Sequence, residues 1–184
     1  MVKTNYNKKS TDSFLEWHDN VDKKNKVIGQ ARRIEFLENP VLIRRSCHVW
    51  LKNSKGEYWF QKRSKNKDIQ PLHWSCAAAG YVKAGADSER QILAEAKREL
   101  KEELGIDINF KFKKILYHQS KNTSSMFIYV FVGDYNGPFA INAEEVEKIK
   151  AFEINGIWRL YQDKKIKLTE PTITDLKYFF KKAK

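Results

Sequence analysis

Between Asp87 and Gly105 the chain is laid out as one amphipathic helix, and that segment limits the fold more than any other. Ile92, Ala96, Leu100 and Leu104 recur every four residues, a spacing that stacks on one face of a 3.6-residue period over a span too long for an ordinary strand. Asp87 or Ser88 supplies an N-cap, and Gly105 stands at the position where a left-handed residue ends a helix. A helix with a single apolar stripe has to bury it against another layer. The segments around it must therefore provide a sheet.

Those segments read as strands. Leu42 to Leu51 is rich in β-branched and aromatic residues, Asn53-Ser54-Lys55-Gly56 is a turn signal, and Glu57 to Arg63 returns as its partner. A polar loop from Ser64 to His73 leads into the small-residue run Trp74 to Gly80. Phe110 to His118, Met126 to Val132 and residues 147–154 are further strands. A last helix starting near Pro171 buries Ile173, Leu176 and Phe180 and exposes Lys177, Lys181 and Lys182. Upstream, Phe14 to Trp17, a polar turn from Asp19 to Lys26 and Val27 to Ala31 predict a β-hairpin, followed by a short helical turn over 34–40 that Pro40 stops. The expectation is an α/β domain over 42–184 with an extension, 1–41, whose hairpin packs on it and offers an edge for a homodimer.

Composition removes several classes of function. At 184 residues with 41% hydrophobic residues the chain buries one core. No apolar run approaches the roughly 18 residues of a membrane span, and the opening MVKTNYNKKSTDS has no apolar h-region, so a cytoplasmic protein is expected. Cys47 and Cys76 form neither a disulfide framework nor a ligand cluster at recognisable spacing, and Cys76 reads as a buried thiol. His18, His48, His73 and His118 are scattered. The net charge of +12 invites a nucleic-acid partner. That excess is carried mostly by lysine spread along the whole chain, which favours solubility and an anionic small molecule over base recognition by arginine.

The chemistry lies on the helix. In Arg98-Glu99-Leu100-Lys101-Glu102-Glu103-Leu104-Gly105-Ile106, Glu99 lies three and four residues before Glu102 and Glu103, with Glu95 one turn earlier. Like charges at these spacings oppose the helix by about 0.2–0.5 kcal/mol per pair. Such a cluster is either a solvated face neutralised by Lys97 and Lys101 or a site for a counter-charge. Mg²⁺ takes carboxylate oxygens together with substrate phosphates, and Arg98 can orient a carboxylate. At average residue usage the joint pattern arises by chance on the order of 10⁻⁵ times in a chain of this length.

The string resembles the C-terminal half of the Nudix box, G-x5-E-x7-R-E-U-x-E-E-x-G-U with U aliphatic, and the flanking order of elements over roughly 42–175 fits it. The resemblance implies a Nudix-type α/β/α sandwich with a mixed β-sheet. It implies metal-dependent hydrolysis of a phosphoanhydride in a nucleoside diphosphate or a nucleoside diphosphate-linked small molecule. Glu99, Glu102, Glu103 and the Gly80 carbonyl would hold Mg²⁺ or Mn²⁺; Arg98, Glu99 and Glu102 would be catalytic, with Glu99 as one choice of base. Glu144 and Glu145 are candidates for a further ligand or base from a later loop, and Lys62 and Arg63 for substrate phosphate. Trp74, Tyr81, Tyr117 and Phe127 are candidate stacking surfaces, or core.

Two departures stand out. Gly80 to Arg98 is four residues longer than the pattern, and the place of the first glutamate holds Ala86 counted forward or Arg90 counted back. Glu89 is the nearest acid. The stretch from Arg45 to Ser64 resembles the branch that contains isopentenyl-diphosphate isomerase. That chemistry implies a cysteine where this chain has Ala79, a histidine at Arg44 and a glutamate within Asn122 to Ser125. Hydrolysis is therefore the expectation; an isomerase and a non-catalytic, RNA-directed protein are the alternatives.

Overall fold

The computed structural model describes residues 13–120 and 123–181. Lys182, expected on the exposed side of the last helix, and Asn122 lie outside the described residues. In chain order the elements are β1 (Trp17–Val21), β2 (Val27–Arg32), α1 (Arg33–Glu38), β3 (Ile43–Lys52), β4 (Tyr58–Arg63), β5 (Trp74–Cys76), β6 (Ala78–Tyr81), α2 (Glu89–Leu104), β7 (Lys111–His118), β8 (Ser125–Asp134), β9 (Val146–Phe152), α3 (Ile154–Gln162) and α4 (Glu170–Tyr178).

β3 is the centre of a mixed sheet. It runs parallel to β8 over its whole length and antiparallel to β6 from Ser46–Tyr81 to Val49–Ala78. β4 leaves β3 after the single pair Lys52–Tyr58 and runs between β5 and β9. The small-residue run predicted as one strand is therefore two. The chain changes partner at Ala77, from β4 to β3, and the parting of β4 from β3 opens the sheet where the cavity described below lies.

Alternation along β3 divides the core into two layers. Cys47, Val49 and Leu51 pack with Ile92, Ala96, Leu100 and Leu104 of α2. Trp50 faces the other way, with Phe60, Ile128, Val130, Ile157 of α3 and Leu176 of α4. This is the α/β/α sandwich expected from the sequence. Helix α2 has the predicted ends: the Ser88 Oγ accepts from the Gln91 backbone N–H, and Gly105 adopts φ 67°. Sequence periodicity missed α3, where Gly156 and aromatic residues weaken helix propensity and the amphipathic pattern lasts only nine residues.

The N-terminal hairpin forms, but its strands are shifted. β1 begins at Trp17, and the turn is Asp22–Lys26, where the Asp22 carboxylate accepts from the Lys24 and Lys26 backbone N–H groups. The polar His18-Asp19-Asn20 reads as turn by propensity, yet it is strand because each side chain has a tertiary partner: His18 Nδ1 donates to the Val82 carbonyl, Gly85 N–H donates to Asp19, and Ile43 N–H donates to Asn20. On α4, Leu176 is buried and Ile173 half-buried; Phe180, also half-buried, follows the end of the helix. No sequence pattern marks Asp175 of this helix as fully buried. Among the described residues no helix is long and apolar enough to cross a membrane.

Candidate active site

The α2 stripe fixes the rotation of the helix against β3 and β6, and that rotation aims the next face, which carries Glu99 and Glu103, at the end of β6. Gly80 makes the approach possible. A Cβ there would lie 2.1 Å from Glu99 Cδ, so the helix carboxylate occupies the space a side chain would take. Cys47 Sγ is 3.6 Å from the Gly80 carbonyl oxygen.

Arg98 ties the cluster together. Its Nη2 donates to Glu95 at 2.9 Å and to Glu99 at 2.6 Å, and its Nη1 to Glu102 at 2.6 Å. Burial opposes the guanidinium charge, but Glu99, Glu95 and Glu102 outweigh it and raise its pKa above the ordinary value. Glu95, four residues before Glu99, reaches Arg98 through its i, i+3 spacing on the helix, while Glu89 begins the helix in solvent. Glu103 is 4% exposed. Its Oε2 accepts from Gln61 Nε2 at 2.9 Å and from the Ala79 backbone N–H at 3.3 Å. Burial pushes the pKa of Glu103 up, and Glu99 adds to it; burial likewise raises Glu99 against the pull of Arg98.

These groups line one cavity of about 440 Å³, within the range of small-ligand sites. Glu99, Glu102, Glu103, Arg98 and Gly80 stand at its acidic end with Glu145, whose Oε2 accepts from Lys67 Nζ at 2.5 Å. Arg63 also lines it, held by two hydrogen bonds to the Ile69 carbonyl. Two sequence candidates are not brought there. Lys62 pairs with Glu147 at 2.9 Å on the outer side of β4, and Glu144 takes Asn66 at 3.1 Å in solvent. The period of two along a strand sends Lys62 and Arg63 to opposite faces. Of the four candidate stacking surfaces, Tyr81 lines the cavity, Trp74 packs on Phe152, and Tyr117 and Phe127 pack on each other.

The fold also assembles groups that sequence reasoning left scattered. Lys67, Arg33, Ser46, His48 and Ser75 all reach the cavity, and Gln61 supports Glu103 from behind it. Behind its far wall His48 Nδ1 lies 2.6 Å from Asp175 Oδ2, which also accepts from Trp50 Nε1, and Cys76 stands beside them. Burial opposes a charge on His48, but Asp175 and then Cys76 more than offset it and hold its pKa well above the ordinary histidine value. The three residues are separated by 28 and 99 positions in the chain, so no local spacing could have announced them.

The NUDIX domain family matches residues 42–173. Over 135 residues the chain is 33% identical to YfcD of Escherichia coli (strain K12), an uncharacterised Nudix hydrolase, covering 73% of this chain and 72% of that one. It is 32% identical over 144 residues to the uncharacterised Nudix hydrolase PA4841 of Pseudomonas aeruginosa, covering 77% and 79%. Among solved structures it resembles DR0079 from Deinococcus radiodurans, with a TM-score of 0.67 at 21% identity over 86% of this chain and 96% of that one. It also resembles the NUDIX domain of Shewanella oneidensis NrtR complexed with ADP ribose, with a TM-score of 0.53 at 12% identity over 78% and 88%. A family match across most of the chain, on a fold that brings the acidic helix against Gly80, means that the chain belongs to the Nudix hydrolases, enzymes acting on acid anhydrides in phosphorus-containing compounds.

Proposed function

We propose that the protein hydrolyses a phosphoanhydride bond in a nucleoside diphosphate or a nucleoside diphosphate-linked small molecule, using Mg²⁺ or Mn²⁺ held by Glu99, Glu102, Glu103 and the Gly80 carbonyl. The observation that carries this is the buried Glu103. Its carboxylate has amide partners on one oxygen and Glu99 as its strongest electrostatic neighbour, with Lys67 and Arg63 offsetting the two acids only in part, an arrangement that fits a hard divalent cation through an all-oxygen donor set. When bound, such an ion supplies charge neutralisation of the diphosphate and lowers the pKa of water.

The chain's own residues do the rest. Arg98 holds Glu99 and Glu102 in one orientation, and Gln61 with the Ala79 N–H fixes Glu103. Glu99, beside Gly80 and shielded from solvent, is placed to take the proton of the attacking water. Arg63 and Lys67, on the opposite wall from α2, receive phosphate oxygens; Glu145 releases Lys67 for this or joins the cation as a further ligand. Isopentenyl-diphosphate isomerisation is disfavoured, because the position its cysteine would occupy on the cavity wall is Ala79.

The test is phosphate release in Mg²⁺ and in Mn²⁺ from nucleotides, nucleotide sugars, dinucleoside polyphosphates and prenyl diphosphates. Hydrolysis of at least one nucleotide compound, with kcat falling by about two orders of magnitude in Glu102→Gln or Glu103→Gln, is the expected result. Wild-type rates in both variants on the best substrate would overturn the assignment.

A further inference from the structure

At the end of the cavity away from α2, most cations have an acid of their own. Arg33 Nη2 holds Asp68 at 2.6 Å, Lys83 Nζ is 3.5 Å from Glu16, and His48 meets Asp175. Arg44 is different. It is wholly buried, and none of its three guanidinium nitrogens makes a hydrogen bond of regular geometry among the described residues. The guanidinium lies 3.4 Å from the centre of the Tyr81 ring, the same ring that forms part of the cavity wall. Burial opposes its charge; Tyr81 and then Asp68 offset only part of that, Arg33 adds repulsion, and Asp68 is itself held by Arg33. Arginine does not escape by losing its proton at neutral pH.

Ser46 follows two residues later on the same face of β3, roughly 7 Å along the strand. It lines the cavity at 2% exposure, and its Oγ has no hydrogen-bond partner. A buried hydroxyl left unpaired on a cavity wall, with a partly compensated cation behind it, is poorly suited to an apolar ligand, which would leave both unsatisfied. A neutral acceptor would satisfy Ser46 alone. An anion satisfies both, because the field of a buried cation is weakly screened across a wall one ring thick.

We propose that this end of the cavity is a recognition subsite for a second anionic group of the substrate, a phosphate or a carboxylate carried on the part of the molecule beyond the metal-bound diphosphate. Ser46 Oγ donates to it, and Arg44 supplies the positive potential from behind Tyr81. The inference rests on the cavity being the substrate site, and it narrows the substrate class to diphosphate compounds with an additional acid.

The test is thermal denaturation of the full chain in metal-free buffer, with inorganic phosphate in one arm and malonate in the other, for wild type, Arg44→Met and Ser46→Ala. The wild type is expected to be stabilised by one of the two anions, and which one identifies the group. Ser46→Ala should weaken that anion's apparent affinity about tenfold, the scale of one hydrogen bond to a charged group. Arg44→Met should melt higher than wild type without anion, since a buried charge compensated only in part is gone, and should lose the anion response. No stabilisation of wild type by either anion would overturn the proposal, and so would an equal response in wild type and Ser46→Ala, which would put the anion at Arg63 and Lys67. A lower midpoint in Arg44→Met with an unchanged response would assign Arg44 to packing and overturn it as well. If Arg44→Met does not fold, Ser46→Ala decides alone. Mg²⁺-dependent hydrolysis is measured separately: an absent anion response with hydrolysis intact defeats the subsite and leaves the hydrolase standing, and the reverse result defeats only the hydrolase.

Discussion

Gly80 and Glu99 share the space of one side chain: a Cβ on Gly80 would lie 2.1 Å from Glu99 Cδ and 2.4 Å from Glu99 Oε1. The backbone at Gly80 needs no left-handed conformation, so the constraint comes from the contact rather than from φ. Gly80→Ala should leave the fold standing, because the group it meets is the mobile end of a glutamate, and cost about 1–2 kcal/mol in denaturant unfolding. The displaced carboxylate should lower kcat about a hundredfold, the scale of misplacing a catalytic group by an ångström. Steady-state kinetics beside a urea melt check both; an alanine variant with the wild-type kcat would separate Glu99 from the chemistry.

Glu103 and Gln61 form a second such pair. With its Oε2 satisfied by Gln61 and the Ala79 N–H, Glu103 lines the same cavity as Glu99. Mg²⁺ or Mn²⁺ should raise the melting temperature of wild type, since a ligand that binds only the folded state stabilises it. Glu103→Gln should abolish most of that rise. Gln61→Leu should shrink it while keeping the volume of the side chain. Thermal scans with and without each ion, followed by chelation, report this without any substrate. Equal ion-induced shifts in wild type and Glu103→Gln would remove Glu103 from the ligand set.

Lys62 and Arg63 are adjacent in sequence and opposed in function. Arg63 lines the cavity; Lys62 makes an outward ion pair with Glu147. Lys62→Ala should therefore change kcat/KM by less than about twofold, and a pair so exposed adds under about 1 kcal/mol to stability. Arg63→Ala and Lys67→Ala should each raise KM about tenfold or more through a lost charge-assisted contact to phosphate. The ordering of the three KM values is the readout, and a large effect confined to Lys62→Ala would reverse the assignment of the basic wall.

That pair also marks what the sequence could and could not disclose. The i, i+3 and i, i+4 relations among Glu99, Glu102 and Glu103, and the stripe that turns them toward β6, are local properties, and the structure places all three on one cavity. The opposite facing of Lys62 and Arg63 was legible too, from strand alternation alone. Other features depended on contacts far along the chain. His48, Cys76 and Asp175 come from three elements and meet only because α4 packs across β3 and β5. Lys67 sits in a loop, where no periodicity says which way a side chain points, and it acquires its place from Glu145 in another loop. The shift of β1 to include His18-Asp19-Asn20 has the same origin, since tertiary hydrogen bonds overrode turn propensity.

His18 gives a stability prediction with a definite sign. It is fully buried, and its Nδ1–H donates to the Val82 carbonyl at 2.9 Å. Burial lowers its pKa to about 3; the Val82 bond opposes this, while Arg44, Arg33 and Lys83 add to it. The folded protein thus keeps His18 neutral where the unfolded chain, titrating near 6.5, binds a proton. Its contribution is whole above pH 6.5 and erodes as pH falls toward 3, by about 1–2 kcal/mol between pH 7 and pH 5. His118, lowered to about 4 by burial and then by His48, acts in the same direction. His48 has the opposite sign: its raised pKa gives stability that is complete below 6.5 and declines as pH rises through its folded value. To isolate His18 from these and from the acidic cluster, the measurement is the difference between wild type and His18→Gln, whose amide can still donate to Val82. The variant loses the edge contacts of the ring with Phe36 and Tyr81 at every pH, a constant offset. Superimposed on that offset, the gap between the two proteins should narrow by about 1–2 kcal/mol from pH 7 to pH 5, and a gap that stays constant would show that His18 takes up its proton without unfolding the hairpin from the sheet.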